Sequence, residues 1–324
     1  MAQVATVQGP ISTSVLGTTL MHEHIFVLSP EIEVNYPYGW DEDARVAQAV
    51  DRLNQLKSAG IDSIVDPTVV GLGRYIPRIQ RIAEQTELNI VVATGLYTYD
   101  ELPYYFDDRG PGTMFGGNDP LVEMFVRDIT EGIAGTGVRA AFLKCATDRQ
   151  GVTPGVERVL RAVAKAHLAT GAPILTHTDA DSHRGADQQR MFAEEGVDLS
   201  RVVIGHCGDT TDLDYLEELI GRGSYVAMDR FGLDFLLPFE DRVATVVTLC
   251  ERGYADHVVL AHDACCFIDW FPEEALAVAA PNWHYLHITN DVLPALRERG
   301  VTEAQIEQML VVNPRNFFET AETY

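Results

Sequence analysis

The chain of 324 residues is short of positive charge: 24 Lys and Arg stand against 48 Asp and Glu, a formal balance of −24. Nucleic acid and anionic membrane surfaces are bound through basic patches, so this balance argues against both as partners. Cysteine is scarce as well. Five residues, an odd number with no Cys-x-x-Cys pair, make no disulfide framework and point to a reducing compartment. There is no run of about 18 apolar residues to span a bilayer, and no Lys or Arg precedes Arg45 to begin a leader peptide. A cytoplasmic protein is expected. What the chain does have is apolar mass: 46% of its residues are hydrophobic, enough to fill one large core. Residues 1–324 are read as a single domain, with no linker, repeat or low-complexity segment.

Apolar, β-branched runs alternate with helix-like segments throughout. Strands are expected at 18–28, 61–66, 89–97, 138–145, 173–178, 201–207, 224–229 and 257–263. Helices are expected between them, at 41–59, 74–85, 119–134, 155–170, 186–195, 213–221 and 239–252, then at 285–299. In the first, Val46, Val50, Leu53 and Leu56 recur at helical spacing before Gly60. A short helix is read at 273–279, and Thr302 with Gln305 caps a last helix ending near Asn313-Pro314. Segment 98–117 is too long for a mere connector. Eight buried strands alternating with helices predict an α/β fold, a parallel (β/α)8 TIM barrel. A doubly wound open sheet is the alternative, but no Gly-x-Gly-x-x-Gly follows the first strand.

The polar residues on these strands are unusual. The first carries His22-Glu23-His24; in an extended chain alternate side chains share a face, so the two imidazoles point one way and Glu23 the other. Lys144, His177, His206 and Asp263 each follow three or more mostly apolar residues at a strand's C-terminal edge, where barrel enzymes build their sites. Singly, each has a structural explanation, as a hydrogen-bonded core histidine or a helix cap. Jointly, four His, an Asp and a Lys on one rim form a ligand set for Zn, Co, Mn or Fe. Two metal ions need an anionic bridge. A buried lysine, whose amine is more readily neutral, can supply one by reacting with CO2 to a carbamate.

With these residues in order along nearly the whole chain, together with Tyr97, Asp229-Arg230-Phe231-Gly232, Cys265-Cys266 and Ile268-Asp269-Trp270, the sequence resembles the phosphotriesterase family of the amidohydrolase superfamily. It is most similar to the lactonase branch, which opens N-acyl-homoserine lactones and so quenches quorum signals. The resemblance implies a binuclear metal centre at the C-terminal face of the barrel. His22, His24 and Asp263 would hold the buried divalent ion and His177 and His206 the exposed one. Carboxylated Lys144 and a hydroxide would bridge them. Asp263 would take the proton; Tyr97 would hydrogen-bond near the lactone, or be an aromatic wall. Arg230 would contact the pocket, or form a plain salt bridge with Asp229 or Asp209. Phe267, Trp270 and their apolar neighbours in segment 264–282 are expected to wall an acyl chain, with Cys265 and Cys266 lining the pocket as small apolar residues. Ala264 replaces the aromatic often found after the eighth-strand Asp, and is expected to widen the pocket near the metals. Glu23 is expected to face the helices as a structural residue. A small-molecule lactone is the expected substrate and a homodimer the expected assembly. An organophosphate triesterase (aryldialkylphosphatase) and a metal-binding scaffold without activity are the rival readings.

Overall fold

The computed structural model describes residues 2–36 and 39–319. Eight parallel strands follow one another around a barrel in chain order: β1 (Thr19–Leu20), β2 (Ser63–Asp66), β3 (Asn89–Gly95), β4 (Phe142–Thr147), β5 (Ile174–Thr178), β6 (Val202–Ile204), β7 (Tyr225–Met228) and β8 (Val258–Leu260). Bonds from Met21 N–H to the Leu260 carbonyl, at 3.2 Å, and from Asp263 N–H to the His22 carbonyl, at 3.0 Å, draw the last strand against the first. Helices fill the intervals between strands, which settles the choice in favour of the TIM barrel over the open sheet.

The strands are apolar on both faces because both are buried. Alternation divides their side chains into two clusters. Val65, Val91, Ala93, Phe142, Leu175, Val203, Ala227 and Val259 pack in the inner one. Ile64, Ile90, Val92, Leu143, Ile174, Val202, Val226 and Val258 pack in the outer one, against the helices. An antiparallel hairpin, Gln3–Thr6 with Gly9–Ser12, was not foreseen; Val4 from it and Phe317 and Phe318 from the chain's end join the inner cluster.

Several expected boundaries are corrected. The stretch 18–28 is not one strand: it leaves the ladder after Leu20 and resumes only as the two residues Phe26–Val27, paired with Phe267–Ile268. Between them the backbone changes partners, Glu23 N–H bonding Val65 O on one side and His24 N–H bonding Ala264 O on the other. β4 starts later and ends later than read, so Lys144 lies within it and not at its end. The helix at 119–134 spans Pro120–Thr130, and Gly132, at φ 122°, follows its close. Asn313-Pro314 does not end the last helix. There, as before Pro294, the missing proline N–H is absorbed by a π turn (Gln308–Val312 and Ile288–Val292), and helix continues as Asn313–Phe318 and Leu293–Glu298. The segment 98–117 holds a helical turn, Tyr104–Asp107. Among the described residues no helix is long and apolar enough to cross a membrane.

Candidate metal centre

His22, His24 and Asp263 converge at the mouth of the barrel. His22 Nε2 lies 3.4 Å and His24 Nε2 3.3 Å from Asp263 Oδ1. Their protonation follows from what lies behind them. Asp229 Oδ2 is 2.6 Å from His22 Nδ1, and a carboxylate can only accept, so the imidazole proton sits on Nδ1. The Thr68 hydroxyl donates to Asp66 at 2.5 Å, so its oxygen must accept from His24 Nδ1, 2.7 Å away. Both Nε2 atoms therefore present lone pairs to a carboxylate oxygen with no hydrogen between the three. Such a set repels itself unless a cation joins it, and it is the donor chemistry of a divalent ion.

A second pair sits beside the first. His206 Nε2 is 2.8 Å from His177 Nδ1, and Asp229 Oδ1 receives both His206 N–H, at 2.8 Å, and its Nδ1, at 3.1 Å. Asp229 thus orients one histidine of each pair. Burial would raise its pKa, but His206 and His22 outweigh that and hold it well below the usual carboxylate range. Burial, helped by Lys144, lowers His22 to about 3, so it stays neutral as a ligand must. Lys144 shares the inward face of Phe142, and its Nζ lies 3.3 Å from His22 Nε2 and 3.2 Å from the Thr176 carbonyl it donates to. Burial brings its pKa down to about 8 from an ordinary 10.5. No carboxylate lies in hydrogen-bonding contact with it among the described residues, which suits an amine able to become a carbamate. His206 and Asp263 both adopt left-handed backbone, at φ 61° and 55°, strained for residues with side chains; they are two of the four such non-glycine residues described. Short strands explain it: β6 and β8 end two or three residues earlier, and the turn swings each side chain onto the rim.

The cage opens into a cavity of about 350 Å³. Arg230 borders it, its Nε donating to Asp263 Oδ2 at 3.0 Å and its Nη1 to Asp209 at 2.9 Å; the salt-bridge partners are Asp263 and Asp209, and not Asp229. Tyr97 stands edge-on to the His177 ring at 5.2 Å, and burial pushes its hydroxyl up to about 12. Trp270 lines the cavity with Ile268 and Phe271, as does Cys265. Cys266 and Phe267 do not: Cys266 meets the Tyr285 hydroxyl and Phe267 lies under the Arg45 guanidinium at 3.8 Å. Ala264 is likewise buried in the core and does not shape the pocket. Glu23 turns toward the end of β8, accepting His262 N–H and Nδ1–H and Ala264 N–H; His262 Nε2 in turn accepts Ile288 N–H.

Sequence reasoning took Asp229 only as part of the family motif and as a possible salt-bridge partner of Arg230, and assigned no role to Asp66. The signal was present, since both close an apolar strand as Asp263 was thought to do. It also missed Leu233, Phe235 and Leu236, apolar residues after β7 that line the cavity.

The sequence model of the phosphotriesterase family matches residues 2–318. A solved phosphotriesterase from Mycobacterium tuberculosis is 63% identical, covers 99% of this chain and 100% of its own, and superposes with a TM-score of 0.98. An aryldialkylphosphatase from Saccharolobus solfataricus is 39% identical over 95% of this chain and 96% of its own. A structure from the engineering of organophosphate hydrolysis on a weak promiscuous lactonase template is 35% identical, covers 98% and 99% of the two chains, and has a TM-score of 0.89.

Proposed function

The chain belongs to the phosphotriesterase family of binuclear metal hydrolases, and from that premise we propose that it hydrolyses lactones, opening the ring of N-acyl-homoserine lactones. The observation that carries this reading is the cavity. Its floor is the polar cage, and its walls beyond Arg230 and Tyr97 are apolar side chains, most of them from the segments after β7 and β8. A ligand with a polar ring and an apolar tail matches that division.

Two divalent ions, zinc or another borderline metal, held by His22, His24 and Asp263 and by His177 and His206 with carboxylated Lys144 between, would polarise the carbonyl and acidify the attacking water. Asp263 accepts that water's proton and returns it to the ring oxygen as the oxygen leaves. Burial would raise its pKa, but the charged surroundings, with Arg230 bonded to Oδ2, hold it well below the usual value, so it is anionic at neutral pH. Arg230 cannot itself carry the proton, because a guanidinium does not deprotonate; it aims Asp263 through Oδ2 and leaves Oδ1 toward the histidines. Tyr97 stays protonated at neutral pH and is a donor to substrate oxygen.

The relative named aryldialkylphosphatase favours a second reading, in which the same cage attacks phosphorus. Comparing kcat/KM for a long-chain acyl-homoserine lactone and for paraoxon decides between them. The lactone is expected to be the better substrate; a triester preferred by about tenfold, ~1.4 kcal/mol of transition-state binding, overturns the reading.

A further inference from the structure

Arg242 touches neither the cage nor the cavity, yet it is one of the largest fully buried side chains, 2% exposed. It stands near the start of the helix Phe239–Glu251, and its donors reach three backbone carbonyls: Leu237 O from Nε at 3.0 Å, Gly208 O from Nη1 at 2.6 Å and Leu233 O from Nη2 at 3.2 Å. Nη2 also lies 2.7 Å from Asp209 Oδ1, as an ion pair. The other oxygen of Asp209 receives Arg230, which in turn holds Asp263. Two of the three carbonyls, Leu233 and Leu237, bracket the segment that contributes Leu233, Phe235 and Leu236 to the cavity wall.

We propose that Arg242 is a positioning residue that sets tail specificity, tying the wall after β7 to the segment after β6 and, through Asp209 and Arg230, to the catalytic carboxylate. Phe235 and Leu236 are 64% and 47% exposed, so burial alone does not hold them over the cavity. A forked guanidinium pins both ends of their segment at once; an ammonium, a single point of charge, cannot. Desolvation makes the tie strict, since the carbonyls of Gly208 and Leu237 would lose this donor if the segment moved.

The inference rests on the lactone reading, and the wild-type comparison above tests that reading by itself. Arg242→Lys is expected to lower kcat/KM for a long-chain acyl lactone about tenfold, through KM, and for a short-chain lactone less than about threefold. Amide exchange at Leu233 and Leu236, bonded to Arg230 O and Leu233 O, is expected to quicken about tenfold while the barrel strands keep their protection. Asp209→Asn neutralises the carboxylate shared by Arg242 and Arg230 but leaves the three carbonyl bonds of Arg242 to hold the wall, and is expected to lower kcat equally for both chain lengths. Equal losses for both lengths in Arg242→Lys, or unchanged exchange, overturn the proposal. If that variant does not fold, wild-type exchange decides: these amides must be as protected as the helix behind them, and exchange at open-loop rates overturns the tie. Should the protein prefer triesters, the same ratios are read with short-armed and long-armed trialkyl phosphates.

Discussion

The cage and the wall of the cavity above it are built by opposite means. His22, Lys144, His206 and Asp229 are each at most 1% exposed, and behind the histidines stand carboxylates that fix their tautomers. The outer part of the wall is made of large apolar residues left partly in water: Trp270 is 45% exposed and Phe271 48%. A buried polar group is strictly oriented because a lost partner is costly, whereas a half-exposed aromatic loses little when it shifts. Changes in the cage should therefore alter chemistry in large steps, and changes in the wall should grade substrate choice in small ones.

The largest effect tests the cage at its reacting group. Asp263→Asn is expected to lower kcat by about 10³-fold or more with the fold retained by circular dichroism, and turnover near the wild-type rate would refute Asp263 as proton acceptor. Lys144 offers a pH test. Its neutral amine is the form that reacts with CO2, and burial brings that form within reach near pH 8. Activation of metal-free protein by metal, at a fixed concentration of dissolved CO2, should rise roughly tenfold per pH unit from pH 6 and level above about 8. A flat profile would exclude the carbamate. Asp229→Asn, one layer back, should cost about 10- to 100-fold in metal affinity, read by elemental analysis after dialysis. On the wall, Trp270→Ala should raise KM for a long-chain lactone by up to about tenfold with kcat nearly unchanged; a collapse of kcat would place Trp270 in the chemistry instead. Least of all for activity, Ala264→Phe should leave chain-length preference alone and cost about 1–3 kcal/mol in chemical denaturation by overfilling the core.

How far each region was legible follows from the same contrast. The metal-ligand candidates were readable because a His or Lys at the end of an apolar strand conflicts with its surroundings and asks for a reason. Asp66 was passed over, and Asp229 was not placed behind the histidines, because a strand-end Asp has a common local explanation as a cap. The cavity wall was read less well. Trp270 lines the cavity, whereas Cys266 and Phe267 were assigned by composition; in the extended pair Phe267–Ile268, beside Phe26–Val27, one residue decides which side a side chain takes.

By itself, then, the sequence determined the barrel, through eight apolar runs whose helices leave them no solvent face. It also determined the chemical type of the centre, through residues that are expensive to bury without a purpose. Only the tertiary structure decided which atoms meet. The left-handed turns at His206 and Asp263, the shared carboxylate of Asp229 and the path from Arg242 to Asp263 join residues from different strands and helices. Those meetings depend on the strands before His206 and Asp263 ending three residues sooner than read, a choice set by packing and hydrogen bonding across the barrel and not by local propensity.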